Sequence, residues 1–244
     1  MKERFVPDEI TEFAKGVEKV YDPEDTAEIE TLKDLASKLN LKWRGSGIHC
    51  AVVSHPSNEK KVFAIDYGFT DIEAAKKIFL TQKILSTLFP HNFPRFHASA
   101  GHVPGLGHAP QMAGTIRQTI EGAHGGNDGY EPTVSFATDA VTPSSSSKPT
   151  VTQPSNRDEK IKYPFKDIVA PLQRFGMQYF LDTKKDNFIL TRDGAEYFVD
   201  ILATTPLDEW DTGAIEEYMN EQKIDDGAKE TVRDAIIRLR KLQN

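Results

Sequence analysis

Apolar residues recur at helical spacing in the first forty positions. Ile10, Phe13, Val17 and Val20 follow Pro7-Asp8, and Ile29, Leu32, Leu35 and Leu39 mark one face of a second segment. Asp22-Pro23-Glu24-Asp25 precedes that segment with an Asp cap, a Pro at the first helical position and an acid three residues after the cap. Two helices are expected, with their apolar faces on the domain that follows. From Leu41 the pattern becomes that of strands. LKWRGSGIHCAVVSH and KKVFAIDYG are rich in aromatic and β-branched residues, HPSNEK between them suits a turn, and a glycine-containing turn lies just before. Asp71 can cap a helix carrying Ile72, Ala75, Ile78, Phe79, Ile84, Leu85 and Leu88, which stops before Phe89-Pro90. FPRFHASAG and MAGTIRQTIEG read as two more short strands.

The hydrophobic period is lost from His124 to about Lys162. Gly125-Gly126, four serines at 144 to 147 and prolines at 132, 143, 149 and 154 predict a long flexible insertion that separates two lobes or covers a site. Phe165, Ile168, Val169, Leu172 and Phe175 predict a helix. Pro171 implies a kink or an early start, and Gly176 is a natural stop. Two helices close the chain, about 213–222 and 228–242, with Arg238, Arg240 and Lys241 complementing the dipole at the C-terminal end.

Composition narrows the class. The 244 residues allow one large domain or two small lobes, and 38% hydrophobic with 27% charged residues reads as a globular protein. A formal charge of −7 argues against a broad nucleic-acid surface. The single cysteine, Cys50, excludes an internal disulfide and a cysteine-based zinc cage. No apolar run is long enough to span a bilayer and MKERFVPDEITEF lacks the core of a signal peptide, so a cytoplasmic location is expected.

Candidate chemistry lies in FLDTKKDNFILTRDGAEYFVDI, residues 180–201. Asn187 and Asp200 bound an antiparallel pair joined by Thr191-Arg192-Asp193-Gly194, where Asp193-Gly194 suits a type I′ turn. A hairpin brings the open ends of its strands together, so Asp182, Asn187 and Asp200 could converge as hard oxygen ligands for Mg²⁺, with phosphates and water filling the remaining positions. The plainer alternative makes Asp182 and Asn187 turn residues and Asp200 a strand end. The scattered histidines at 91, 97, 102, 108 and 124 fit no zinc pattern, and Cys50, Trp43 and Trp210 are read as packing residues.

The order of these segments resembles the protein-kinase-like superfamily, especially its small atypical and aminoglycoside-phosphotransferase-like branches. Gly45-Ser46-Gly47-Ile48-His49-Cys50-Ala51-Val52 is similar to the glycine-rich loop, with Cys50 in place of the third glycine. Phe63-Ala64-Ile65-Asp66 stands where the lysine-bearing strand belongs, 70–88 where the following helix belongs, 115–122 as last small-lobe strand and hinge, and 165–176 as the helix before the catalytic loop. Asp182 and Asn187 match D-x-x-x-x-N, and Asp200 falls at the metal-binding aspartate of D-F-G.

The resemblance implies an α+β, two-lobed kinase-like fold: a helical extension over 1–40, an N-lobe with a small antiparallel sheet and hinge over 41–122, the insertion over 123–162 and a reduced, mainly helical C-lobe over 163–244. It implies ATP and Mg²⁺ as ligands, with nucleotide contacts from Gly45, Ser46, Gly47, Val52, Ala64, Gln118 and Ile120, Asp182 as base, and Asn187 and Asp200 on the metal. The departures are equally specific. Asp66 replaces the nucleotide-anchoring lysine, Gln82 stands near its glutamate partner, and only 44 residues (244 − 200) follow Asp200. An Asp beside a polyphosphate costs roughly 4 kcal/mol for unit charges about 4 Å apart at an effective dielectric of 20. A shielding metal, a substitute such as Lys61, Lys76 or Lys83, or loss of nucleotide binding would each answer that cost. The expected functions are therefore a phosphotransferase on an unknown substrate, a catalytically inactive pseudokinase that binds or regulates, or an unrelated α+β interaction domain.

Overall fold

The computed structural model describes residues 7–20, 26–47, 50–58, 61–66, 72–101, 112–118, 122–125, 130–133, 161–177, 181, 184–199 and 210–242. The architecture is mixed α+β, and the chain divides into two compact units. Unit 1 comprises Met1–Ile84, Arg95–Thr119 and Asp234–Asn244, and unit 2 comprises Leu85–Pro94 and Ile120–Arg233.

Unit 1 is built on a five-stranded antiparallel sheet of order β1-β2-β3-β5-β4. The strands are β1 (Lys42–Gly47), β2 (Cys50–Ser54), β3 (Lys61–Asp66), β4 (Phe96–Gly101) and β5 (Met112–Gln118). Helices α1 (Asp8–Val20) and α2 (Thr26–Lys38) precede it, and α3 (Ile72–Leu88) lies between β3 and β4 in the chain. The apolar stripes of α1 and α2 are buried in one cluster with Ala51, Val53, Phe63 and Ile65 of the sheet. The phenyl ring of Phe13 meets Trp43 edge-on, with centroids 6.5 Å apart. The two helices approach closely because Gly16 has no side chain: a Cβ there would lie 2.1 Å from a Leu35 methyl. Helix α2 stops where Asn40 takes a left-handed φ of 56°, which lets the Leu41 amide donate to Ala36 O at 2.8 Å.

Unit 2 holds a three-stranded antiparallel sheet of order β6-β7-β8, from β6 (Gly122–His124), β7 (Phe188–Thr191) and β8 (Glu196–Phe198). It also holds α4 (Lys166–Arg174), α5 (Thr212–Glu221) and the first part of α6 (Asp226–Lys241). Phe93, Phe165, Phe188 and Phe198 are nearly or fully buried and pack ring to ring, with centroids 5.0 to 5.9 Å apart. A second group, Phe89, Phe175 and Tyr218, continues this core. Pro171 lies inside α4, and Gly176, at φ 75°, ends it as Met177 N donates to Leu172 O at 2.8 Å.

The β7-β8 connection corrects the expected type I′ turn. That turn needs positive φ at both central residues, but Gly194 alone has it here, at 81°, and Asp193 does not. Gly194 N donates to Thr191 O and Thr191 N to Ala195 O, so three residues link the strands: a type I turn closed by a left-handed glycine. The Thr191 hydroxyl meets Asp193 Oδ1 across the turn, which stabilises an Asp with negative φ. The outer edge of β8 is covered rather than free. Glu196 N donates to Tyr163 O, Phe198 N to Asn92 O, and the Asn92 amide to Tyr163 O and Glu196 O.

Candidate functional site

Antiparallel pairing sets which residues of the glycine-rich segment can act together. Gly45 stands opposite Val52, Val52 opposite Ala64, Gly47 opposite Cys50, and Cys50 opposite Asp66. Residues directly opposite share a face, so Gly45, Gly47, Val52, Ala64 and the Asp66 position lie on one side of the sheet. The alternate positions Ala51, Val53, Phe63 and Ile65 bury against α1 and α2. Ser46 pairs with Ala51 and Gln118 with Lys61, which places those two register positions on the helix-covered side. A bulge between Trp43 and Gly45 produces the switch of side: Arg44 is the extra residue, and its Nε donates to the buried Ser54 hydroxyl at 2.8 Å. A Cβ at Gly45 would meet nothing within 4 Å, so this face has room at Gly45, whereas Ala64 on the same face is fully buried. Ile120 lies outside the described residues.

Of the three residues expected to supply oxygen ligands, Asn187 is described, and Asp182 and Asp200 lie outside the described residues. Asn187 closes a 3-10 turn, Lys185–Asn187, and is 9% exposed. Its carbonyl accepts from Val199 N at 2.8 Å, opposite the residue that precedes Asp200 in the chain. The open end of the hairpin is therefore held together at Asn187.

Two features carry no signal in the sequence. Gly122–His124 is a strand, paired with β7, and a Cβ at Gly125 would stand 2.2 Å from Lys185 O, so the backbone there closes onto the turn that leads to Asn187. Three residues with no apolar alternation carried no signal. Glu196, the one acid buried among the described residues, was also passed over. Burial pushes its carboxyl up from the ordinary glutamate range, and the amides of Phe165 and Thr133 pull it partly back. A raised folded-state pKa means that the folded chain binds the proton more tightly. Its contribution to stability is thus full below the unfolded-state value and is lost as pH rises through the folded one. Urea unfolding followed from about pH 4 to 7 is expected to show that fall in the wild type and a flatter profile in Glu196→Gln.

Lys61 opens β3 and Asp66 ends it, five residues on and about 16 Å along the strand. Lys76 and Lys83 are exposed on α3. Gln82 on the same helix is 6% exposed, and its Oε1 has no hydrogen-bond partner. His91 stacks on Tyr163 with centroids 4.0 Å apart. Cys50 is half-buried at the start of β2. Trp43 packs on the core of unit 1 and Trp210 is buried. Among the described residues no group of three or more His, Cys, Asp or Glu could hold a metal, and no helix is long and apolar enough to cross a membrane. No protein-family model matches the chain, and no curated protein is significantly similar to it.

Proposed function

We propose that the chain is a cytoplasmic, two-lobed kinase-like protein that binds ATP with Mg²⁺, with Asn187 and Asp200 as metal ligands and Asp182 as the candidate base for phosphoryl transfer. The observation that carries this reading is the single face of the five-stranded sheet that gathers Gly45, Gly47, Val52, Ala64 and the Asp66 position. Helix α3 follows in the chain, and the Asn187 hairpin after it. Glycines on that face let a backbone approach phosphates closely. A purely binding, pseudokinase role is the second reading. It is favoured by Asp66 and by Gln82, a neutral buried side chain where an acid would pair with a lysine. Phosphoryl transfer relies on positioned positive charge, and that pair is absent on both sides.

A thermal-shift titration with ATP and Mg²⁺ tests the site. Ligand at about 100 times its Kd stabilises the folded state by about 2.7 kcal/mol, so the midpoint is expected to rise in the wild type and not in Asp200→Ala. No shift at millimolar ATP would leave the unrelated α+β interaction domain standing. Equal shifts in both proteins would remove Asp200 from the metal. Turnover of ATP, measured separately, decides between the active and the binding-only forms.

A further inference from the structure

Glu196 is 0% exposed, yet no lysine or arginine among the described residues pairs with it. Four donors satisfy it instead. Thr133 N approaches Oε1 at 2.8 Å, beside the Tyr130 hydroxyl, while the Thr133 hydroxyl and Phe165 N reach Oε2 at 2.5 and 2.6 Å. These donors come from both ends of the chain segment that joins Thr133 to Ile161, and Lys166 N adds a direct link to the Thr133 hydroxyl at 3.3 Å. The two ends are held very unequally. Phe165 is itself fully buried in the aromatic cluster and starts α4. The 130–133 strap buries no whole side chain, and beside the Lys166 N link its tie to Lys185, from Glu131 at 3.7 Å, is an exposed ion pair of the kind that contributes little.

We propose that Glu196 is a latch: its carboxylate fastens the 130–133 strap over the aromatic core of unit 2, and release of that carboxylate opens the strap alone, leaving β7, β8 and the Phe165 end in place. Opening also releases the Glu131–Lys185 contact at the Lys185–Asn187 turn. Only the bearing of that last step on a metal at Asn187 rests on the nucleotide-site reading. A local unit of this kind, with no fully buried side chain and hydrogen bonds centred on one carboxylate, opens below the free energy of global unfolding.

Residue-resolved amide hydrogen exchange on the full chain tests the latch. In the wild type the Thr133 amide is expected to be protected. In Glu196→Ala it is expected to exchange at least about tenfold faster, while the amides of Thr191 and Phe198 keep their rates, because a lost bond to a charged acceptor is worth about a decade or more. Should that variant not fold, Tyr130→Phe combined with Thr133→Val removes two donors and leaves the acid in place, and a smaller acceleration confined to 130–133 is expected. An unprotected Thr133 amide in the wild type overturns the latch. So does acceleration of Thr133 and Phe198 together in Glu196→Ala, or an unchanged protection factor of the position-133 amide in the double variant. Failure of the wild type to bind ATP with Mg²⁺ removes the nucleotide site and leaves the exchange result standing.

Discussion

Phe165→Ala is expected to destabilise unit 2 by about 3–5 kcal/mol, the range for removing a fully buried aromatic ring from a packed core. The ring is 0% exposed and makes contacts with Phe93, Phe188 and Phe198 at centroid distances of 5.8, 5.0 and 5.6 Å. The cost combines lost transfer energy with a cavity whose walls are themselves rings that cannot collapse without turning away from one another. Trp210 is buried in unit 2 and the chain's other tryptophan, Trp43, lies in unit 1. A Trp43→Phe background therefore makes Trp210 fluorescence a local readout of urea unfolding. A loss below about 1 kcal/mol would mean that the four rings do not form one close-packed group.

On the proposed nucleotide reading, Asp66→Lys is expected to tighten ATP binding by several hundredfold or more in isothermal titration. The change is two unit charges: removing the carboxylate's, about 4 Å from a phosphate, is worth about 4 kcal/mol at an effective dielectric of 20, each 1.4 kcal/mol is a factor of ten, and the attraction of the incoming ammonium adds to it. Screening by Mg²⁺ and by salt reduces the gain, so titration at two ionic strengths is expected to show the larger effect at the lower one. Asp66 shares its register face with Val52 and Ala64, which is where a charge change acts on a nucleotide lying along the glycine segment. Unchanged affinity and unchanged turnover in this variant would place position 66 outside the site. Gain of turnover would identify the missing cation as what separates the binding form from an active one.

Particular elements explain what was legible in the residues. Helix α3 was readable to its last residue, because a long apolar period runs to a Phe-Pro stop, and Gly176 was readable as the stop of α4. The hairpin was readable and its turn was not, since Asp-Gly supplies a left-handed glycine to a type I′ turn and to a type I turn with a bulge alike. Alternation marked β2 and β3 but could not reveal the bulge at Arg44, which moves Gly45 to the face of Val52. That one-residue slip decides which half of the glycine segment faces outward, so the grouping of site residues needed the register itself. Glu196 sits in an ordinary alternating strand, and nothing local distinguishes a solvated acid from one that four donors enclose from 130–133 and 165.

Strand β6 joins residues far apart in the chain: Gly122 pairs with Thr191 and His124 with Ile189, whereas β7 and β8 are joined by three residues. The hairpin can form early as a local event, and β6 must wait for a long loop to close. The closing penalty grows only logarithmically, so doubling that loop adds about 0.6 kcal/mol. Chains of this design can therefore vary the length of the segment between β6 and α4 widely at little cost to stability, while its two points of attachment stay fixed.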